Sequence, residues 1–317
     1  MPSPPLPQVS IGLPVYNGGR YIKGALDSLL GQDYPNLEFI VSDNASTDET
    51  QEICQAYAAH EPRLTYHRSA ENRGAVWNFN RVFELSRGEF FLWAAADDRR
   101  EQSYVSRCAD VLARNPAAVL CFSPTFAYAG GDRRPIIEDL DLDRPAPRDR
   151  VLALLKQKGQ DWAPIVYGLI RASALRGVSP MLNHYGSDVR LIIELALRGP
   201  FLRCGETSFD YCSETRDRNV WAYYERVVKT LASGNLPRKH GNPTWIVGAG
   251  MLGAVSSAPL PPGVKALITA DVLRLFFLDR RRVREAAYLA ASRLGLKPHP
   301  RDWNSDPGNG RDGATIP

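Results

Sequence analysis

The sequence predicts an α/β protein built on a mainly parallel sheet with helices on both faces. Three observations carry that prediction. Between Val9 and Phe122, short apolar runs of strand character alternate with amphipathic helical patterns. The links between them are short and rich in Asn, Asp and Gly. Carboxylates and amides gather where the apolar runs end, which is where ligands sit in sheets of this kind.

Val9 to Leu13 reads as the first strand, closed by a loop over Pro14, Val15, Tyr16, Asn17, Gly18 and Gly19. Ile22, Ala25, Leu26, Leu29 and Leu30 then fall on one face of a 3.6-residue period, predicting a helix. Leu37 to Ser42 is a second strand ending at Asp43. Ser46 and Glu49 have capping-box spacing for a helix carrying Ile53, Ala56 and Tyr57. Arg63 to His67 is a third strand and Asn72-Arg73-Gly74 a turn. Val76, Phe79 and Phe83 form one face of a third helix. Glu89 to Trp93 is a fourth strand, and after three alanines it meets Asp97 and Asp98. Beyond Val119 to Phe122 the alternation weakens. Asp132 to Arg150 reads as a long surface loop, Val151 to Leu155 as a short helix and Ile165 to Ile170 as a strand. Asp188 to Arg198 is a helix with Val189, Ile192, Ile193 and Ala196 inward, and Phe201 to Cys212 holds one or two strands. From Val220 the pattern is helical, broken at Pro237, Pro243 and Pro259 to Pro262.

With 317 residues, 44% hydrophobic and 23% charged, the chain has material for a full α/β core and an appendage. A net charge of +4, with basic residues scattered apart from Arg280-Arg281-Arg282, gives no nucleic-acid footprint. Five cysteines without CxxC spacing read as reduced core thiols and point to a cytoplasmic protein. Met1 to Pro7 lacks the basic and apolar regions of a signal peptide, and no apolar stretch reaches the ~20 residues of a spanning helix. Frequent Arg, Ala and Pro suggest a bacterium with a GC-rich genome. The chain has no Walker A loop, no GxGxxG after a strand, no GxSxG and no HExxH. Kinase, dehydrogenase, α/β-hydrolase and zinc-protease readings fall with them.

Paired acids at the exit of a buried strand place negative charge where folding alone does not call for it. Either they hold a cation, such as a hydrated divalent metal with the phosphates it bridges, or they open a turn and cap the helix beginning near Gln102. The expected topology sets Asp43, the Pro14 to Gly19 loop, the Asn72 turn and Asp97-Asp98 around one crevice, which favours the first reading.

Four segments in order, Leu13-Pro14-Val15-Tyr16-Asn17-Gly18, Val41 to Asp48, Asn72-Arg73-Gly74 and Ala96-Asp97-Asp98, resemble the signature of glycosyltransferase family 2. The resemblance implies a GT-A fold, Rossmann-like, and an inverting transfer of a sugar from a nucleotide-diphosphate donor. By position it places Pro14, Val15, Tyr16, Asn17, Asn72, Arg73, Ala96 and Asp97 around the donor. Asp43 would accept a hydrogen bond from a base N–H, favouring UDP or dTDP, although an Asx turn into Ser46 is the alternative. Asp97 and Asp98 would hold Mg²⁺ or Mn²⁺. Ala95 stands where the family's first metal-motif acid is expected, and no His lies between His184 and His240. Asp188 would be the general base, although its place at a helix start equally suits a cap. Trp162, Tyr167, His184 and Tyr185 flank it, as acceptor-stacking groups or as packing.

The expected division is a tail at 1–7, a nucleotide-sugar-binding half at 8–122, an acceptor and catalytic half at 123–215, a helical region at 216–296 and a disordered tail at 297–317. The acceptor class is a glycan, a glycolipid or a natural product. Leu267, Ile268, Val272, Leu275 and Phe276, with the arginines after them, leave open packing on the main domain, a homo-oligomer contact, or a peripheral membrane contact at the inner face. The alternative function is a catalytically inactive relative that binds nucleotide or glycan as a partner subunit.

Overall fold

The structure, a computed structural model, describes residues 6–129, 131–157, 162–212 and 243–278. The expectations for Val220 to Pro237 and for 297–317 lie outside the described residues. Strands β1 (Val9–Val15), β2 (Leu37–Asp43), β3 (Leu64–Arg68) and β4 (Phe90–Trp93) alternate with helices α1 (Gly19–Leu30), α2 (Thr50–His60) and α3 (Ala75–Glu84). Next come β5 (Arg99–Arg100), α4 (Tyr104–Arg114), β6 (Leu120–Phe122), β7 (Thr125–Ala129), β8 (Asp132–Ile137) and α5 (Pro147–Lys156). A 3-10 turn (Ala163–Tyr167) leads into β9 (Leu169–Arg171), α6 (Ala172–Arg176), α7 (Ser187–Ala196), β10 (Phe201–Arg203) and β11 (Phe209–Cys212). Two further helices follow, α8 (Pro243–Ser257) and α9 (Pro262–Val272), the latter continued by a π-helical turn (Leu273–Phe277).

Seven strands form one sheet in the order β10-β6-β9-β4-β1-β2-β3. The run β4-β1-β2-β3 is parallel throughout, and β9 is antiparallel to both its neighbours. A smaller sheet, β5-β11-β7-β8, lies beside it. Period-two alternation along the strands feeds two cores. Phe90 and Leu92 enter one cluster with Val9, Ile11, Leu13 and Val15, while Phe91 and Trp93 enter the other with Val82, Ile192 and Val255. At Gly12 a Cβ would come within 2.8 Å of Val82, so only glycine lets α3 pack this close to β1.

Three sequence expectations are corrected. Asp132 to Arg150 is not a surface loop throughout, because it supplies β8 and the start of α5. Ile165 to Tyr167 belongs to a 3-10 turn, and the strand is confined to Leu169–Arg171 by its pairing between β4 and β6. No capping box forms at Ser46. The helix starts later, and Asp48 instead accepts from the Thr50 N–H at 3.1 Å. The cysteines are free thiols, four of them buried. Among the described residues, no helix is long and apolar enough to cross a membrane.

Candidate active site

Register brings the ends of β1 and β2 together, with Pro14 opposite Ser42 and Val15 opposite Asp43. The two loops that leave them are then bound to each other. Asn17 adopts the left-handed conformation (φ 53°), which Asn tolerates better than most residues. Its N–H donates to Ser46 Oγ at 2.9 Å, and its Oδ1 accepts from the Thr47 N–H at 2.8 Å. Gly18 N–H donates to Thr50 Oγ1 and Gly19 N–H to Asp48 Oδ2, each at 2.9 Å. Asn17 therefore spends its carbonyl on the neighbouring loop, while Tyr16 stays 47% exposed beside it.

Asp43 is fully buried. Oδ1 accepts from the Ser46 N–H at 2.8 Å, forming the Asx turn, and Oδ2 accepts from Tyr66 Oη at 2.7 Å and from the Arg68 guanidinium. Both partners of Oδ2 are at least partly exposed, the Arg68 side chain at 31%. Asn44 organises the next turn. Its Nδ2 donates to Asn72 Oδ1 at 2.9 Å, and its Oδ1 accepts from the Arg73 N–H at 2.9 Å. Asn72 thereby acts as a turn builder, and the Arg73 guanidinium lies 4.4 Å from the Trp77 ring centroid. Asn78 ties α3 to both strand ends, donating to Ser42 O at 2.8 Å and Val15 O at 3.2 Å. A cleft of about 490 Å³ opens here, lined by residues including Ser42, His67, Arg68, Arg73 and Trp77.

At the end of β4, Ala96 packs near Gly18, Asp97 is exposed and Asp98 is buried. Asp98 Oδ1 accepts from the Cys212 N–H at 2.9 Å, which fastens the acid turn to β11. Its Oδ2 is buried without a partner. Burial first, and then the charge of Asp97, pushes the Asp98 carboxyl up to about 7. Arg100, also buried, donates to Trp93 O at 2.9 Å and to Tyr167 O at 3.3 Å, with its guanidinium 4.5 Å from the Phe209 ring centroid.

Asp188 is the second residue of α7, behind Gly186 in the left-handed conformation (φ 76°). It does not cap the helix. Its Oδ1 accepts from the Val189 N–H at 2.8 Å, and burial raises its pKa while nearby His184 opposes the rise. Tyr167 links the two groups of acids. Burial, then the charges of Asp98, Tyr211, Asp97 and Asp188, push its phenol well above the usual range. The carboxylates from β4 and from α7 thus bear on one side chain.

The other flanking aromatics divide. Trp162 is 3% exposed within the core, so it packs and offers no open face to an acceptor. Tyr185 and His184 are half-buried, the imidazole bonded within its own turn to Tyr185 O at 2.9 Å. Sequence reasoning missed Arg68, Asn44, Asn78 and Arg100. Asn44 and Asn78 carried a signal as polar residues at a strand end and on an apolar helix face.

Among the described residues, no group of three or more His, Cys, Asp or Glu could hold an ion alone. Two adjacent carboxylates, one exposed and one with an unpartnered buried oxygen, fit Mg²⁺ or Mn²⁺ completed by diphosphate and water.

A model of glycosyl transferase family 2 matches residues 10–172, just over half of the chain. The chain belongs to glycosyltransferase family 2. An uncharacterized glycosyltransferase of Rickettsia typhi is 39% identical over 92 residues, covering 29% of this chain and 28% of that protein. A putative teichuronic acid biosynthesis glycosyltransferase of Bacillus subtilis is 34% identical over 93 residues, covering 29% of this chain and 37% of its own length. These matches therefore span well under half of either relative. Residues 1–349 of Staphylococcus aureus TarS, solved with UDP-GlcNAc, superpose with a TM-score of 0.63 at 17% identity. The superposition covers 93% of this chain and 78% of that one, and it shows the GT-A fold.

Proposed function

We propose that this family member is an inverting glycosyltransferase moving a sugar from a UDP- or dTDP-linked donor to a hydroxyl of a glycan, glycolipid or natural-product acceptor. One observation carries the reading. The 3-10 turn that ends at Tyr167 packs against both β4, whose exit carries Asp97 and Asp98, and α7, whose start carries Asp188, which supports pairing an acid cluster for the diphosphate with a separate carboxylate for the acceptor.

Asp188 serves as general base. Its raised pKa makes it a stronger proton acceptor than an exposed Asp, and the Val189 N–H fixes one oxygen while the other takes the acceptor's proton. The attacking oxygen approaches the anomeric carbon opposite the departing diphosphate, which inverts the configuration. Asp97 and Asp98 would hold Mg²⁺ or Mn²⁺, which when bound neutralises charge on the diphosphate as a Lewis acid. The Arg73 guanidinium, held over Trp77, faces the cleft with charge suited to phosphate. Arg68 and Tyr66 already occupy Asp43 Oδ2, so a base N–H that reaches this carboxylate has to displace one of them.

Ala95, in place of the family's first acid, supports a second reading, an inactive relative that binds nucleotide alone. A thermal-shift series with UDP, dTDP, GDP and CDP, with and without Mn²⁺, followed by NMR of the anomeric proton of any product, tests both. Metal-dependent stabilisation by UDP or dTDP and an inverted product are expected. Binding with no transfer to any acceptor would favour the second reading, and a retained configuration would end the first.

A further inference from the structure

Helix α3 packs on β1 and β2, while β3 is the edge strand of the large sheet and is covered by α2 on the opposite face. The cleft of about 490 Å³ lies in the gap left between α3 and β3. Its α3 wall carries Trp77, Arg81 and Glu84, spaced i, i+4 and i+7, on the side of the helix away from the buried Val76, Asn78 and Val82. On the sheet side Ser42 and His67 are paired in register and so share one face. Both have hydrogen-bonding capacity to spare. Ser42 is 2% exposed, and among the described residues neither its Oγ nor the His67 ring makes a hydrogen bond. Positive charge exceeds negative along the lining. Arg68 is engaged by Asp43, and Glu84 holds Arg81 only in a loose, solvent-facing pair at 3.6 Å. Arg73 lies over Trp77 and has no carboxylate partner among the described residues. Burial first, and then the charge of Arg81, holds the His67 imidazole below its ordinary range, so a negative group set between the two relieves both.

A cleft with donors on both walls and surplus positive charge suits an anion whose oxygens point in several directions. A tetrahedral phosphate offers oxygens to both walls, and a planar carboxylate offers only two. We propose that this cleft is a second oxyanion site, which binds a phosphate group between Ser42 and His67 on the sheet side and Arg81 and Arg73 on the α3 side. It is separate from the proposed diphosphate site. β3 stands three strands from β4, roughly 14 Å at about 4.8 Å per strand, a span that one diphosphate held at Asp97 and Asp98 does not bridge. Arg73 borders both sites, because its N–H is bonded to Asn44 Oδ1 at 2.9 Å in the loop after β2. A phosphate bound here ties β3 to α3, the helix whose Asn78 holds the ends of β1 and β2, and so braces the loops of the proposed donor site from behind. The site stands whether or not the chain transfers a sugar.

Titration of the full chain with inorganic phosphate tests this, followed by NMR at the His67 Cε1–H, whose resonance is assigned by its loss in His67→Gln. A saturable shift is expected, with a midpoint that stays the same when the preferred nucleotide and Mg²⁺ are bound to saturation. Arg81→Gln should weaken phosphate binding on the order of 10-fold, and Ser42→Ala, a smaller change that keeps the fold, about threefold. The melting temperature and the thermal shift by nucleotide should be unchanged in Arg81→Gln, which shows that the variant is folded. Glycerol phosphate run in parallel identifies the source of the group. Tighter binding than inorganic phosphate supports a phosphomonoester at this site, and equal or weaker binding supports the free ion. No saturable shift at millimolar phosphate, an equal response to chloride at matched ionic strength, or affinity insensitive to both variants overturns the proposal. So does loss of phosphate binding whenever nucleotide is bound, because the cleft then belongs to the donor.

Discussion

The loops that leave β1, β2 and β3 and the start of α7 are built differently. On the proposed donor side the loops after β1, β2 and β3 are laced together, and Asp43, Asn44, Asn72 and Asn17 all spend side-chain oxygens on neighbouring protein groups. On the proposed acceptor side Asp188 is held by backbone N–H groups alone, that of Val189 at 2.8 Å among them, and sits at the start of a helix that its neighbours hold in place. Glu194, 1% exposed, pairs with Arg190 at 2.9 Å and accepts from the Ser179 N–H at 2.9 Å, which anchors the chain leading into α7. A cradle that must present backbone and amides to a nucleotide gains from rigidity. A base must keep a lone pair free for a proton, and more hydrogen bonds would lower its basicity.

The largest effect should come from the lightly held side. Asp188→Asn should reduce transfer by about 10²–10⁴-fold while the thermal shift by the preferred nucleotide stays nearly constant. Equal loss of both in a donor titration would make Asp188 structural and collapse the contrast. On the laced side, Asn78→Ala removes two bonds to strand-end carbonyls, and urea denaturation should show a loss of about 1–3 kcal/mol. Donor affinity should fall with it.

Asp98 gives a pH test of the metal-free chain. Its folded pKa, about 7, lies above the ordinary carboxylate value, so the native state binds the proton more tightly than the unfolded state. Its contribution is fully present below about pH 4 and is lost as pH rises toward and through 7. Asp98→Asn should flatten the fall in melting temperature across that window; an unchanged profile would show that Asp98 titrates normally. The smallest change is expected far from the crevice. Arg148→Ala breaks a partly exposed pair with Asp271, and chemical denaturation should register about 0–1 kcal/mol.

Much of the donor side was legible because local rules govern it. Apolar runs set the strands, the parallel topology gathers their ends, and Asp43, Asn72, Asp97 and Asp98 stand at those ends. The errors came where distant parts of the chain decide. Ser46 has the spacing of a cap, yet the β1 loop claims its hydroxyl across 29 residues. For Trp162 the sequence leaves acceptor stacking and packing both open, and its burial in the core decides for packing. Arg68 carries no local sign of its role, since its partner Asp43 is on the neighbouring strand. Asp98 could be read as an acid at a strand end, but its inward turn to Cys212 depends on a strand 114 residues later.

Gly186 gives the C-terminal helices a meaning that their late place in the chain conceals. A Cβ there would stand 2.5 Å from Val247, so the elbow in front of Asp188 is shaped by a residue of α8. The last described helices are thus the abutment on which the elbow before Asp188 rests. If Asp188 is the base proposed above, a chain cut before Pro243 would keep strands β1 to β4 and lose the stop that sets the angle of Asp188, and so would bind nucleotide better than it turns over.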